Sequence, residues 1–174
     1  MEKLIIKGGN QLHGEINCSG AKNAGLPILA SSILFNKNVK INNLPHLKDI
    51  STMLELLSSM GSEICLEESG TLTINSSNLK NPEARYELVK TMRASILVMG
   101  PLLAKYGKAK ISQPGGCNIG ARPIDFHLSG LERMGAEIKS DSKYIYLNAK
   151  KLKPIDFSFP KISVTGTENL IMAS

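Results

Sequence analysis

Hydrophobic positions along the chain follow two rhythms that alternate in a regular order. Between Asp49 and Met60, apolar residues fall at Ile50, Met53, Leu54 and Leu57, the spacing of a helix with one buried face. The same spacing returns at Leu128 and Leu131 between Asp125 and Met134. A glycine follows each helical segment, Gly61 and Gly135, where a left-handed C-cap is expected. Short alternating strand pairs come next, ending Leu72-Thr73-Ile74-Asn75 in one case and Ile145-Tyr146-Leu147-Asn148 in the other. Two longer apolar helices, about 23–35 and 93–106, lie upstream of these segments.

The matches form an internal repeat. Met60-Gly61-Ser62-Glu63-Ile64 is echoed 74 residues later by Met134-Gly135-Ala136-Glu137-Ile138, and Val39-Lys40-Ile41 is echoed 70 residues later by Ala109-Lys110-Ile111. One unit reads helix, strand, helix, strand, strand, with a short strand ahead of the first helix. A third unit opens at Thr165-Gly166-Thr167-Glu168-Asn169, which resembles Ser19-Gly20-Ala21-Lys22-Asn23. It continues Leu170-Ile171-Met172-Ala173-Ser174, the opening of the same apolar helix. Such a helix cannot bury its face after about two turns. The pattern therefore predicts an α/β fold and an N-terminal piece of a longer protein.

Composition narrows the class. The 174 residues are 42% apolar and 21% charged, which is globular composition. The net charge of +6 suits anionic ligands, but the basic residues are dispersed. With no Trp, four Tyr and four Phe, stacking of nucleic-acid bases is not expected. The longest nearly unbroken apolar run, Ala94 to Ala104, is too short for a membrane span of about 20 residues. The N-terminus lacks a secretory pattern, and Cys18, Cys65 and Cys117 have no zinc-ligand spacing. These features predict free thiols in the cytoplasm, with no metal and no cofactor.

The units differ in one loop. The second carries six extra residues within Gln113-Pro114-Gly115-Gly116-Cys117-Asn118-Ile119-Gly120-Ala121-Arg122-Pro123. A scaffold does not need such an insertion, so function is expected there. Arg122 and the following helix start would favour the thiolate of Cys117, whereas an inert thiol is the plainer alternative. Cys18 and Cys65, among apolar residues, read as packing cysteines. Lys22 and Asn23 open an apolar helix whose N-terminal amides suit a phosphate or carboxylate. Arg93 occupies the matching place in the second unit. Pro123 and Asp125 suit a first helical turn, and His127 alone is uninformative.

Ser-Gly-Ala-Lys-Asn-Ala-Gly-Leu-Pro at 19–27, Leu-Val-Lys-Thr-Met-Arg-Ala-Ser at 88–95 and Pro-Gly-Gly-Cys-Asn-Ile-Gly-Ala-Arg-Pro-Ile-Asp at 114–125 resemble the bacterial UDP-N-acetylglucosamine enolpyruvyl transferases (UDP-N-acetylglucosamine 1-carboxyvinyltransferases). The resemblance covers the whole chain. The sister family, the shikimate-pathway enolpyruvyl transferases, shares the repeats but lacks the cysteine loop. The resemblance implies an inside-out α/β barrel of six helix–strand repeats in two domains, with about two and a half repeats here. Residues 1–21 would be strands of the second domain. Residues 22–174 would be an incomplete first domain, with repeats about 19–85, 88–157 and a truncated 162–174.

The implied reaction transfers the enolpyruvyl group of phosphoenolpyruvate to the 3-hydroxyl of UDP-N-acetylglucosamine, the first committed step of peptidoglycan synthesis and thus of cell shape and division. Lys22 and Asn23 would meet phosphoenolpyruvate. Cys117 would be the loop acid, open to covalent adducts and to fosfomycin. Arg93, the segment Arg122, Pro123, Ile124, Asp125 and Phe126, and the segment Lys161, Ile162, Ser163 and Val164 would hold the UDP-sugar. Both substrates are small molecules, and no obligate protein partner is implied. A non-catalytic module that binds a nucleotide-sugar is the alternative of a different class.

Overall fold

The structure, a computed structural model, describes residues 3–90, 92–113 and 124–174. The elements are α1 (Lys22–Ser31), a 3-10 turn (Ser32–Leu34), β1 (Val39–Ile41), α2 (Lys48–Met60), β2 (Glu63–Leu66), β3 (Leu72–Asn75), β4 (Glu83–Ala84), α3 (Tyr86–Val89), a 3-10 helix (Arg93–Val98), α4 (Met99–Tyr106), β5 (Lys108–Ser112), α5 (Asp125–Arg133), β6 (Glu137–Ser140), β7 (Tyr144–Asn148) and α6 (Val164–Ala173). The fold is α/β. Neither sheet closes on itself among the described residues: one has the order β1-β3-β2, the other β4-β5-β7-β6.

The repeat seen in sequence is reproduced in strand register. In the first sheet Ile74 lies opposite Val39 on one side and Ile64 on the other. In the second, Leu147 lies opposite Ala109 and Ile138. All four pairings are antiparallel, and Leu72, Ile74, Ala109, Ile111, Ile145 and Leu147 turn into the core. Both caps also match. Gly61 (φ 111°) and Gly135 (φ 101°) are left-handed, and the next amides, Ser62 and Ala136, donate back to the carbonyls of Leu57 and Leu131. That double turn reverses the chain from helix into strand, and any side chain at these φ values would be strained.

One difference between the units stands out. The short strand expected ahead of the apolar helix forms in the second unit as β4, parallel to β5. Ahead of α1, residues 3–21 form neither helix nor strand, and Leu4, Ile5, Ile6, Leu12 and Ile16 are exposed. The third unit differs as well. Its helix starts at Val164, so Thr165–Asn169 lies inside α6 rather than leading into a helix at Leu170. Ser163 makes the earlier start possible, because its hydroxyl accepts the Gly166 N–H at 3.1 Å.

The three apolar helices pack on one another. α1 contacts the 3-10 helix Arg93–Val98, and α6 contacts that helix, α4 and α1. Met99 to Leu103 are consecutively buried, so this turn of α4 has no solvent face. Leu29, Ile33, Leu97, Leu102 and Leu103 are at most 1% exposed. Removing each such side chain from water stabilises the fold by roughly 1.5–3 kcal/mol.

Candidate functional site

α1 begins with an uncapped N-terminus. Ala21 at the N-cap has no side chain that can accept, and the first turn holds no acidic residue, so among the described residues the amides of Lys22 and Asn23 are left uncapped. A lysine at this positive pole is unfavourable unless an anion compensates it. The structure supplies one from another helix: Lys22 Nζ lies 2.8 Å from Asp49 Oδ2. Asp49 sits in the first turn of α2, where a carboxylate is favoured. The pair thus joins two helix N-termini. Asn23, beside it, is exposed.

The chain entering α1 is held by Asn43. Its Oδ1 accepts the Gly20 N–H at 3.1 Å, and its Nδ2 donates to the Cys18 carbonyl at 3.3 Å. Asn43 itself is left-handed, with φ 57°. A side chain on residue 20 would strike the Asn43 carbonyl, which explains glycine there. An open cleft of about 470 Å³ lies on the segments leading into α1 and α2, lined by Ser19, Gly20, Asn43, His46 and Leu47. Asn43 and Asp49 are the parts of this corner that sequence reasoning missed. Each acts on a partner more than 20 residues away, and only the acid at a helix start could have hinted at Asp49.

Arg93 is half-buried at the start of the 3-10 helix that packs on α1. Ile124 and Asp125 begin α5. Phe126 meets Phe159 edge to face, with ring centroids 6.3 Å apart, and Phe159 meets Phe157 at 4.9 Å. These rings bring the start of α5 against the chain that leads to Lys161, Ile162, Ser163 and Val164. Lys161 is exposed, and Ile162, 98% exposed, offers an apolar side chain to whatever approaches. The hydroxyl of Ser163 is engaged as the cap of α6, and its carbonyl accepts the Thr167 N–H and hydroxyl. Cys117, Arg122 and Pro123 lie outside the described residues.

His127, uninformative in sequence, is 4% exposed and tied on both sides. Its Nδ1 lies 3.0 Å from Asn169 Nδ2 and its Nε2 3.3 Å from Thr165 Oγ1. An amide nitrogen only donates, so Nδ1 accepts and the ring proton sits on Nε2. Burial of this neutral ring pushes its pKa down to about 4. The packing role expected for Cys18 and Cys65 is not found, since both thiols are exposed. Cys65 falls on the outward face of its strand, and Cys18 precedes α1 in the uncovered N-terminal segment. Among the described residues no cluster of His, Cys, Asp and Glu could hold a metal, and no helix is long and apolar enough to cross a membrane.

The sequence from residue 6 to 174 matches the family model of EPSP synthase (3-phosphoshikimate 1-carboxyvinyltransferase). The chain belongs to the EPSP synthase family. Within it, the chain is 57% identical over all 174 residues to a UDP-N-acetylglucosamine 1-carboxyvinyltransferase of Ruthia magnifica subsp. Calyptogena magnifica, of which it covers 42%. It is 51% identical to the protein of that name from Coxiella burnetii, covering 40% of it. The chain thus spans about two fifths of the length of these curated relatives. Two solved structures agree in fold. The enolpyruvyl transferase NikO of Streptomyces tendae matches with a TM-score of 0.74 at 20% identity, over 95% of this chain and 39% of that one. An EPSP synthase of Acinetobacter baumannii matches with a TM-score of 0.70 at 17% identity, over 92% and 37%.

Proposed function

We propose that this chain is the N-terminal part of a UDP-N-acetylglucosamine 1-carboxyvinyltransferase, acting in the cytoplasm at the entry to peptidoglycan synthesis. The observation that carries the reading is 57% identity across the whole chain to a protein of that name, with the cysteine loop 114–125 present in sequence. The fold reading extends accordingly: six repeats in two inside-out domains, residues 1–21 completing the second, and substrates between the two.

Enolpyruvyl transfer adds the sugar 3-hydroxyl across the vinyl carbon of phosphoenolpyruvate, then expels phosphate from the tetrahedral intermediate. The hydroxyl proton must leave and a proton must reach the methylene carbon; a proton must then leave the resulting methyl group as the carbon–phosphate oxygen bond breaks and the double bond re-forms, and the phosphate charge must be held throughout. Lys22, Asn23 and the free amides of α1 suit the phosphate or carboxylate of phosphoenolpyruvate. Asp49, 2.8 Å from the Lys22 ammonium, holds it at that corner. Cys117, five residues before Arg122 in sequence, is the proton donor in this scheme. Arg93, Arg122 to Phe126 and Lys161 to Val164 hold the nucleotide-sugar, with the exposed Ile162 and the Phe126 ring supplying apolar contact.

Phosphate release by the full-length protein tests the reading. UDP-N-acetylglucosamine should support it and shikimate 3-phosphate should not, and Cys117→Ala should abolish most turnover. Turnover with shikimate 3-phosphate alone would replace this reading by the sister reaction. Binding of the nucleotide-sugar without any phosphate release would replace it by the non-catalytic module.

A further inference from the structure

The side chain of Asn169 is fully buried and uses every polar atom it has. Its Nδ2 donates to the Ile96 carbonyl at 3.0 Å and to His127 Nδ1 at 3.0 Å, and its Oδ1 accepts the Gly100 N–H at 2.6 Å. Ile96 and Gly100 stand four residues apart. In a continuous α-helix that carbonyl and that amide would bond to each other. Here the Ile96 carbonyl accepts the Met99 N–H in 3-10 fashion, and the amide of Asn169 gives that carbonyl a second donor and gives Gly100 its acceptor. The insertion coincides with the place where the 3-10 helix ends at Val98 and α4 begins at Met99. A side chain at residue 100 would strike Asn169, so glycine makes the close approach possible.

We propose that Asn169 is a positioning residue that fixes the starts of three helices as one unit. His127 is the third residue of α5, directly after Asp125 and Phe126. Thr165, bonded to the far side of His127, is the second residue of α6, directly after Ser163 and Val164. Ile96 lies in the helix that Arg93 opens. Arg93, the segment from Ile124 to Phe126 and the segment from Lys161 to Val164, assigned above to the nucleotide-sugar, therefore sit on or beside three elements that meet at one buried amide. Geometry of this kind matters because ligand-holding groups must be placed to a fraction of an ångström before binding. An aspartate could accept from Gly100 but not donate to Ile96 or His127. A leucine would satisfy none of the three. Only an amide supplies two donors and an acceptor at this length. The part concerning the nucleotide-sugar rests on the function proposed above; the tie among the three helices does not.

Two measurements on the full-length protein test it. In Asn169→Ala, amide hydrogen exchange should accelerate together in residues 93–100, 124–130 and 161–166, with β5 and β7 unchanged. In the same variant the KM for UDP-N-acetylglucosamine should rise at least tenfold, with the KM for phosphoenolpyruvate within twofold. Gly100→Ala keeps every partner but displaces Asn169, and should give the same split. It also serves if Asn169→Ala does not fold. Faster exchange confined to α6, or equal rises in both KM values, would overturn the proposal. Should the wild-type protein fail to use UDP-N-acetylglucosamine, the proposed function falls, and the exchange pattern still decides whether Asn169 joins the three starts.

Discussion

Acidification should destabilise this protein through His127 within a defined window. The ring is buried, neutral, and wedged between a donor it must accept from, Asn169 Nδ2, and a hydroxyl it donates to, Thr165 Oγ1. A second ring proton would face the Asn169 NH2 group, and relieving that clash would require breaking the bonds to Ile96 and Gly100. Burial accordingly lowers the pKa from 6.5 to about 4. In the unfolded chain the ring takes its proton near 6.5, so below that pH the unfolded state binds more protons than the folded one. Stability is therefore complete above about pH 6.5, falls as the pH drops toward 4, and levels off below. At about 1.36 kcal/mol per pKa unit, the whole window is worth about 3 kcal/mol. That is a large share of the roughly 5–15 kcal/mol that holds a typical domain folded. Urea unfolding of the wild type and of His127→Asn, followed by circular dichroism at pH 7.5, 6.0, 5.0 and 4.5, isolates the effect. Asparagine retains an acceptor near the Nδ1 position and does not titrate. His13 and His46 are exposed in both proteins and cancel from the comparison. The wild type should lose about 2–3 kcal/mol more than the variant between pH 7.5 and 4.5. Parallel pH profiles would refute the buried neutral tautomer and the network built on it.

Other predictions address separate parts of the structure. Lys105 donates to the carbonyls of Ile33, Phe35 and Ser76 at 2.8–3.1 Å, tying the second unit to the first, and Lys105→Met should cost about 2 kcal/mol by thermal or urea unfolding; a change below 0.5 kcal/mol would show that water replaces the ammonium without penalty. Lys22→Gln should weaken phosphoenolpyruvate binding by roughly 10- to 150-fold, the worth of about 1.5–3 kcal/mol for a charged contact, and a twofold change by titration would return Lys22 to a surface role. Cys18 and Cys65 are exposed, so accessibility alone would let iodoacetamide label them; mass mapping should nevertheless find Cys117 modified first, and preferential labelling of Cys18 would remove the case for an activated Cys117. Residues 1–174 alone should release no phosphate from phosphoenolpyruvate and UDP-N-acetylglucosamine beyond a Cys117→Ala control, because one wall of a cleft cannot exclude water; turnover within tenfold of a full-length relative would end the two-wall scheme.

Local order was written in the chain itself. The stripe Ile50, Met53, Leu57, the glycines at 61 and 135 and the alternation Leu72-Thr73-Ile74 act over a turn or a pleat, so periodicity and backbone sterics determined α2, α5, both caps and the strand pairs. The 74-residue echo also identified two equivalent units, because equal local patterns fold into equal local shapes. Candidate anion holders were legible for the same reason: Lys22 and Arg93 stand at helix starts that any reader of the pattern can locate. What the chain could not disclose was which distant groups meet. Asp49 reaches Lys22 across 27 residues, Asn43 clamps Gly20 across 23, and Asn169 enters the helix at Gly100 across 69. Propensity carries no record of such meetings, since Asn, Asp and His read as surface or capping residues until packing removes their water. For the buried Asn169 and His127, the cost of an unpaired polar group then forces each to find the partners within reach. The early start of α6 is local by contrast, since Ser163 caps it through Gly166 three residues on. Periodicity decided which elements form, whereas the tertiary structure decided which polar side chains lose their water and must pair.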